Sequence, residues 1–85
     1  MFGYNQKMGV DIGSYVEVAP LDVRVGDIIG IKYIDRYAPL VVVKPVEGPT
    51  QVVDDSNYTI WCDYRRRRIA AGALPDDVVR RYKSE

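Results

Sequence analysis

The stretch that indicates the fold is Val23–Ile34, which reads VRVGDIIGIKYI. Glycine at position 26 supplies the open backbone angles of a bend, and the carboxylate of Asp27 can accept hydrogen bonds from nearby amides where a strand begins. Gly30, inside the apolar run, is typical of a bulge or a sharp coil, which a small barrel needs in order to close. The stretch therefore predicts a β-strand that is entered through a tight bend.

The composition points to the same class of structure. The chain has 85 residues, enough for one domain, with thirteen Val and seven Ile against three Leu. Seven of its nine aromatic residues are Tyr. Side chains of these β-branched and aromatic types fit a half-buried pleated surface and lose rotamer freedom in a helix. The Val-Gly-Asp entry resembles turns of SH3-like and OB-like barrels, folds that serve many functions.

Other segments on both sides of this stretch also have strand patterns. Val10–Val18 alternates apolar and polar residues, as a half-buried strand does. Leu40–Val43 is a short apolar run that suits a strand covered on both faces. In Tyr58–Tyr64, residues Ile60 and Cys62 share the face predicted to be buried, and Trp61 lies on the other. The preceding residues, 54–57, are typical of a hairpin tip.

The last residues change character and predict a helix. Pro75 stands at the start of this segment, acids follow in the first turn and bases in the last, which favours a short helix over 75–83. We therefore expect a mainly β, single-domain SH3-like or OB-like barrel of about five short strands with a short C-terminal helix. Its parts would be an N-terminal arm (1–9), the barrel (10–64), a basic connector (65–74) and the helix (75–83).

The residue types needed for catalysis and metal binding are scarce. The chain contains no His and only one Cys, so neither an activated nucleophile nor a tetrahedral zinc site can be assembled. The carboxylate pairs at 54–55 and 76–77 are adjacent in sequence and diverge from a strand or turn. No Gly-rich phosphate loop or nucleophile motif is present. We predict no catalytic residue, no metal site and no cofactor, and hence a protein that is not an enzyme.

The sequence also indicates a compartment. A lone Cys62 cannot form an internal disulfide, which favours the reducing cytoplasm. No apolar run is long enough to span a membrane, and the first residues lack the layout of a signal peptide. We therefore predict a cytoplasmic protein without a membrane partner.

Charge is unevenly distributed along the chain. The formal net charge is zero, but residues 1–64 hold five bases and nine acids, whereas residues 65–85 hold seven bases and three acids. The densest part is the run Arg65–Arg68. Such an asymmetry can mark a basic segment directed at an acidic partner, or a segment that folds back on its own acidic barrel.

Tyr and Arg are the residue types most enriched at protein-binding hot spots. The candidate partner-binding residues are therefore Trp61, Tyr64, Arg65, Arg66, Arg67, Arg68, Tyr33 and Tyr37. They predict a small non-enzymatic interaction module, such as an adaptor, an assembly subunit or an inhibitor, that binds a larger protein or nucleoprotein.

Two other functions fit the same residues. In a nucleic-acid-binding barrel, Arg65–Arg68 would contact phosphates while Trp61 and Tyr64 stacked on bases. The sequence pI near 6.2 is below the range typical of nucleic-acid binders. In a structural homo-oligomer, copies of the chain would pair along an exposed strand edge.

Overall fold

The computed structural model describes residues 10–52 and 55–84. Its strands are β1 (Val10–Val18), β2 (Ile28–Gly30), β3 (Leu40–Val42), β4 (Glu47–Val52), β5 (Asp55–Tyr64), β6 (Arg67–Ala73) and β7 (Val79–Ser84). A 3₁₀ turn at Pro20–Asp22 follows β1, and no helix of the described part is long and apolar enough to cross a membrane. The mainly β prediction is confirmed. The expected N-terminal arm and residue 54 of the predicted hairpin tip lie outside the described residues, whereas Asp55, Ser56 and Asn57 belong to β5.

The strands form one antiparallel sheet in the order β1-β7-β2-β3-β5-β4, with β6 on the other edge of β5. Strand β5 is long enough to pair with β3 and β4 on one edge and with β6 on the other. The described sheet is not closed, so the barrel prediction is wrong. At the outer edge of β6, the Tyr33 hydroxyl, rather than another strand, donates a hydrogen bond to the Gly72 carbonyl.

The core lies on one face of this sheet. Its fully buried side chains include Ile29, Leu40, Val42, Ile60 and Cys62. They come from alternate positions of β2, β3 and β5, because successive side chains of a strand point to opposite faces. Between two of them, Val41 is exposed. Strand β3 is therefore covered on one face and not on both.

The predicted helix at 75–83 is wrong, because Val79–Ser84 forms β7. This strand pairs with β1 from Val18↔Val79 to Val10↔Ser84 and also with β2. The acids before it close a turn: the Asp77 carboxylate accepts a hydrogen bond from the Leu74 amide at 2.8 Å, and the Asp77 amide donates to the Leu74 carbonyl at 3.0 Å. An Asp that forms such a turn has the same sequence signature as an Asp in the first turn of a helix.

The predicted connector at 65–74 is also wrong. Arg67–Ala73 is strand β6, which pairs with β5 from Tyr64↔Arg67 to Tyr58↔Ala73. The pair Arg65-Arg66 forms the two-residue turn between them, with φ angles of 52° and 64°. These two corrections raise the number of strands from about five to seven.

Candidate partner-binding surface

Two turns with left-handed backbone lie side by side at one end of the sheet. Asp35, Arg36 and Tyr37 have φ angles of 45°, 51° and 70°, and Arg65 and Arg66 continue the same pattern in the hairpin turn. The left-handed region costs a residue with a Cβ roughly 1–2 kcal/mol. We call residues 35–36 and 64–68 the paired-turn surface.

Asp35 connects the two turns. Its carboxylate accepts a hydrogen bond from the Tyr64 hydroxyl and lies 3.9 Å from a guanidinium nitrogen of Arg65. The guanidinium carbon of Arg65 is 5.1 Å from the centroid of the Tyr64 ring. The Arg65 side chain is nevertheless 76% exposed, so its ion pair is a surface pair of small energy. Asp35 therefore fixes the relative position of the turns more than it stabilises the fold.

The paired-turn surface carries more positive than negative charge. Arg68 Nε lies 3.0 Å from Asp63 Oδ1, and its Nη2 lies 3.5 Å from Asp63 Oδ2. These hydrogen bonds raise the pKa of the Arg68 guanidinium. Within residues 10–52 and 55–84, Arg36, Arg66 and Arg67 are exposed and take part in no ion pair. These three side chains can bind external anionic groups without first breaking an ion pair with another described residue.

Trp61 and Tyr64 lie on opposite faces of β5. Trp61 is half-buried on the outer face, where its Nε1 donates to Glu47 Oε1 at 3.0 Å and its ring centroid is 5.0 Å from Lys44 Nζ. Tyr64 packs instead at the margin of the core. The two rings therefore do not form one platform for stacking, and only Tyr64 belongs to the paired-turn surface.

Tyr33 lies beside β6. Its ring is 62% exposed, and its hydroxyl donates to the Gly72 carbonyl. Partial burial, followed by the negative charges of Asp77 and Cys62, raises the pKa of Tyr33. Tyr33 also lines a groove of about 300 Å³ together with Ala73 and Val78.

Tyr37 belongs to a second cluster, on the face of β7 opposite the core. The guanidinium carbon of Arg80 is 3.6 Å from the Tyr37 ring centroid and 4.3 Å from that of Tyr15. The Tyr82 hydroxyl donates to the Tyr37 carbonyl, and a Cβ at Gly30 would overlap that hydroxyl. Tyr37 therefore has a structural role in this cluster, and its ring is engaged by Arg80.

The sequence patterns did not single out Asp35 and Arg36 as candidate partner-binding residues. Neither Gly nor Asn marks this segment as left-handed. The contact between Asp35 and Tyr64 spans 29 residues, and no local pattern predicts it. The excess of charged and aromatic residues in the segment was the one available signal.

Cys62, the one cysteine of the chain, lies in the core and not at the paired-turn surface. Cys62 is buried, donates to the Ile60 carbonyl at 3.7 Å, and burial raises the pKa of its thiol to about 11. Such a thiol is inert at neutral pH. Within the described ranges, no three His, Cys, Asp or Glu side chains gather where they could hold a metal ion.

Taken together, these features define an open, seven-stranded antiparallel sheet with a basic surface at the tip of its β5–β6 hairpin. No protein-family model, no curated protein and no solved structure matches the chain. The geometry of the described residues is therefore the basis for inferring function.

Proposed function

We propose that the protein is a non-enzymatic interaction module that binds an acidic surface of a larger protein through the paired-turn surface. The backbone of the hairpin turn carries this proposal. Arg65 and Arg66 occupy both central positions of a two-residue turn in which φ is positive, where Asn-Gly is the locally favoured pair. Two arginines here cost stability, and backbone strain of this kind is concentrated at functional sites. Binding a partner would account for their presence.

The charges of the surface support an acidic partner. Arg36, Arg66 and Arg67 are exposed without ion pairs among the described residues. A guanidinium binds a carboxylate through two parallel hydrogen bonds, which gives direction as well as energy. Residues 1–64 have a net charge of −4, so the arginines of the hairpin turn concentrate positive charge beside a predominantly acidic part of the chain.

The contacts of Asp35 support a preorganised site. Its hydrogen bond from Tyr64 and its ion pair with Arg65 hold the two turns together before any partner arrives. Ordering a loop upon binding opposes association, so a surface that is already ordered binds more tightly for the same contacts.

The same geometry is less suited to nucleic acid. Trp61 and Tyr64 point away from each other, and each donates a hydrogen bond to a carboxylate, Glu47 or Asp35. Bases stacked on these rings would approach those negative charges, which repel phosphates. An acidic protein is therefore the partner that we propose.

The test is an affinity capture from an extract of the source cells, with the intact protein as bait. We expect one stoichiometric acidic protein, whose recovery falls at least about ten-fold with Arg66→Glu because one favourable charge contact becomes repulsive. Arg24→Glu is the matched control, because it makes the same charge change at another exposed position. Recovery should also fall as the salt concentration increases.

Two results would contradict the proposal. Equal recovery with Arg66→Glu and Arg24→Glu would show that the paired-turn surface does not bind the partner. Recovery that disappears after nuclease treatment, with absorbance near 260 nm in the purified protein, would identify nucleic acid as the ligand instead.

A further inference from the structure

We propose that the outer edge of β6 binds an extended acidic segment of the partner, which pairs with it as an additional antiparallel strand. This inference rests on the proposed function and specifies how the partner is recognised. Extended peptides that add to a sheet edge gain affinity from main-chain hydrogen bonds and specificity from side-chain contacts at alternate positions.

The register shows which backbone groups of β6 face outward. In an antiparallel pair, hydrogen-bonded and non-hydrogen-bonded positions alternate along the strand. The Trp61 carbonyl accepts a hydrogen bond from the Val43 amide at 2.9 Å, so the backbone groups of Trp61 point away from β6. The opposed residues Trp61 and Ala70 are therefore a non-hydrogen-bonded pair of the β5–β6 ladder. The amides and carbonyls of Arg68, Ala70 and Gly72 therefore point away from β5. None of the described strands pairs with them.

This edge is sterically open. Arg68, Ala70 and Gly72 are all exposed, and a Cβ placed at Gly72 would meet none of the described residues within 4 Å. Two of the three outward residues are therefore small enough for another backbone to approach. The outward amides and carbonyls of Arg68 and Ala70 are thus available for a new strand, whereas the Gly72 carbonyl already accepts the Tyr33 hydroxyl.

The outer edge of β1 is less suited to this ligand. The Gly13 amide is already hydrogen-bonded to the Asp11 carboxylate at 2.9 Å, and the β1–β7 register shifts between Asp11 and Tyr15. Such irregularities protect an edge from pairing. Asp11 and Glu17 would also repel an acidic segment.

Charge distinguishes an acidic segment from a second copy of this chain. Arg66 and Arg67 lie at the start of β6, exposed and without ion pairs among the described residues. If two copies paired antiparallel about Ala70, Arg67 would face Ala73 and Arg68 would face Gly72 of the other copy, and no carboxylate would meet the arginines. Acidic side chains of a partner segment would neutralise them.

Tyr33 and the groove beside it define the other end of the segment. The Gly72 carbonyl already accepts a hydrogen bond from the Tyr33 hydroxyl. The added strand can therefore form backbone hydrogen bonds with both groups of Arg68 and of Ala70, and this pairing ends before Gly72. Beyond that point lies the groove of about 300 Å³, with Tyr33 62% and Val78 54% exposed. An apolar side chain of the segment fits this groove.

The spacing of the recognised side chains follows from the strand geometry. Arg67 and Gly72 are five positions apart, about 17 Å at the rise of an antiparallel strand. A segment antiparallel to β6 runs from the groove towards the arginines. Its apolar residue therefore comes first, and its acids follow about five residues later.

The probe is the fluorescent peptide acetyl-Leu-Thr-Val-Thr-Val-Glu-Glu-Glu-amide, titrated against the intact protein by fluorescence anisotropy. We expect a Kd below about 1 mM. Replacing the three Glu by Lys should weaken binding at least about ten-fold, because attraction by Arg66 and Arg67 becomes repulsion. Equal binding of the two peptides would contradict the proposed charge recognition.

The matched protein variants are Ala70→Pro and Ala70→Val. Proline removes an amide that faces outward and takes no part in the β5–β6 ladder, whereas valine keeps that amide. We expect Ala70→Pro to weaken peptide binding about ten-fold and Ala70→Val to leave it within about two-fold of the wild type. Equal binding by both variants would overturn strand addition.

Hydrogen exchange of the wild-type protein gives a second readout that does not depend on whether the proline variant folds. The peptide should slow exchange of the Arg68 and Ala70 amides at least about ten-fold, because each amide gains a hydrogen bond. The Ile69 and Ala71 amides already face β5 and should change little. A peptide that leaves the Arg68 and Ala70 amides unprotected overturns the proposal.

The remaining outcomes separate this inference from the proposed function. If Arg66→Glu abolishes capture of the partner but Ala70→Pro does not, the paired-turn surface binds by another mode and strand addition fails alone. If capture is insensitive to Arg66→Glu, the proposed function itself fails. If sedimentation shows a dimer that Ala70→Pro disrupts, the edge is occupied by a second copy and the acidic-segment proposal is wrong.

Discussion

Arg80 in β7 and Arg66 in the hairpin turn are two arginines in opposite environments, one stacked on aromatic rings and the other exposed to solvent. The Arg80 guanidinium lies between the rings of Tyr37 and Tyr15, 3.6 and 4.3 Å from their centroids, and its Nε is buried without a hydrogen-bond partner among the described residues. Arg66 is exposed, has a φ angle of 64° and forms no ion pair within the described part of the chain. Stacking on two rings stabilises the first arginine in place, whereas the second weakens its own turn.

This difference shows that the positive charge of residues 65–85 does not form one surface. Arg80 interacts inside the protein, next to Gly30 and Tyr82, and has no need of a ligand. Among the described residues, the ion pairs and ring contacts of the hairpin arginines are exposed ones: ion pairs with Asp35 and Asp63, and the approach of Arg65 to the Tyr64 ring. A substitution in β7 should therefore change stability, and one in the hairpin should change binding.

The largest change in stability should come from Gly30→Ala, because Gly30 lies in the cluster that surrounds Arg80. The new Cβ would overlap the Tyr82 hydroxyl and lie 2.9 Å from the Tyr37 carbonyl oxygen. We expect the free energy of unfolding to fall by about 3 kcal/mol, because overpacking forces the backbone or the ring to move. Urea denaturation measures this change.

Gly72→Ala in β6 is the control for this prediction. A Cβ at that position meets no atom of the described part of the chain within 4 Å, so the free energy of unfolding should change by no more than about 0.5 kcal/mol. Equal destabilisation by the two substitutions would show that the cluster around Arg80 is not tightly packed.

A direct test replaces each arginine by methionine. Arg80→Met removes the charge that stacks on both rings, and we expect a loss of about 2 kcal/mol in the free energy of unfolding. Arg66→Met removes an exposed charge and should change it by less than about 0.5 kcal/mol. If the two variants lost the same stability, the distinction between the two settings would be wrong.

A gain of stability is expected when the hairpin turn receives its locally favoured residues. The double substitution Arg65→Asn and Arg66→Gly relieves the left-handed backbone and should raise the free energy of unfolding by about 1 kcal/mol. It should also weaken capture of the partner. A more stable variant that retains full binding would contradict the role of these arginines.

The smallest effect on stability at neutral pH should come from titration of the Cys62 thiol, which lies in strand β5 of the hairpin. Burial raises its pKa to about 11 in the folded protein, so above about pH 9 the unfolded chain releases this proton first. Stability contributed by the neutral thiol is complete below that pH and is lost between about pH 9 and 11. Burial also raises the pKa of Tyr82 in the β7 cluster.

Comparison of Cys62→Ala with the wild type distinguishes the contribution of the Cys62 thiol to the pH dependence of stability from that of the Tyr82 hydroxyl. The plot of unfolding free energy against pH should be flatter above pH 9 for the variant, with only the tyrosine contribution remaining. Near pH 7 the two slopes should agree. Equal slopes at high pH would show that the thiol is not protected within the hairpin.

The sequence predicted those features that depend on local alternation. The pattern of Tyr58–Tyr64 correctly assigned Ile60 and Cys62 to the core and Trp61 to the outer face. It could not predict the hairpin turn, because Arg65-Arg66 lacks the Gly or Asn that marks a positive φ angle. The helix prediction failed at Asp77, whose hydrogen bond to the Leu74 amide is local but also compatible with a helix start.

The sequence predicted only part of the candidate site, because some of its contacts join residues that are far apart in the chain. The residues Tyr64 and Arg65–Arg68 were identified by type, but their neighbour Asp35 is 29 positions from Tyr64. The role of Tyr37 was equally hidden, because its ring contact with Arg80 depends on the pairing of β7 with β2. Tertiary pairing determines which charges meet, and alternation along one strand carries no information about it.

The pairing of β1 with β7 has a consequence for how the protein is made. Among the described strands, β1 has β7 as its only partner, and Val18 must meet Val79 across 60 intervening residues. As the chain leaves the ribosome, β2 to β6 can pair with one another, but β1 must wait until residues 79–84 have emerged. Such long-range closure is slow compared with hairpin formation. Completion of this sheet therefore has to follow the synthesis of β7, and until then β1 is a segment that a chaperone would meet unpaired.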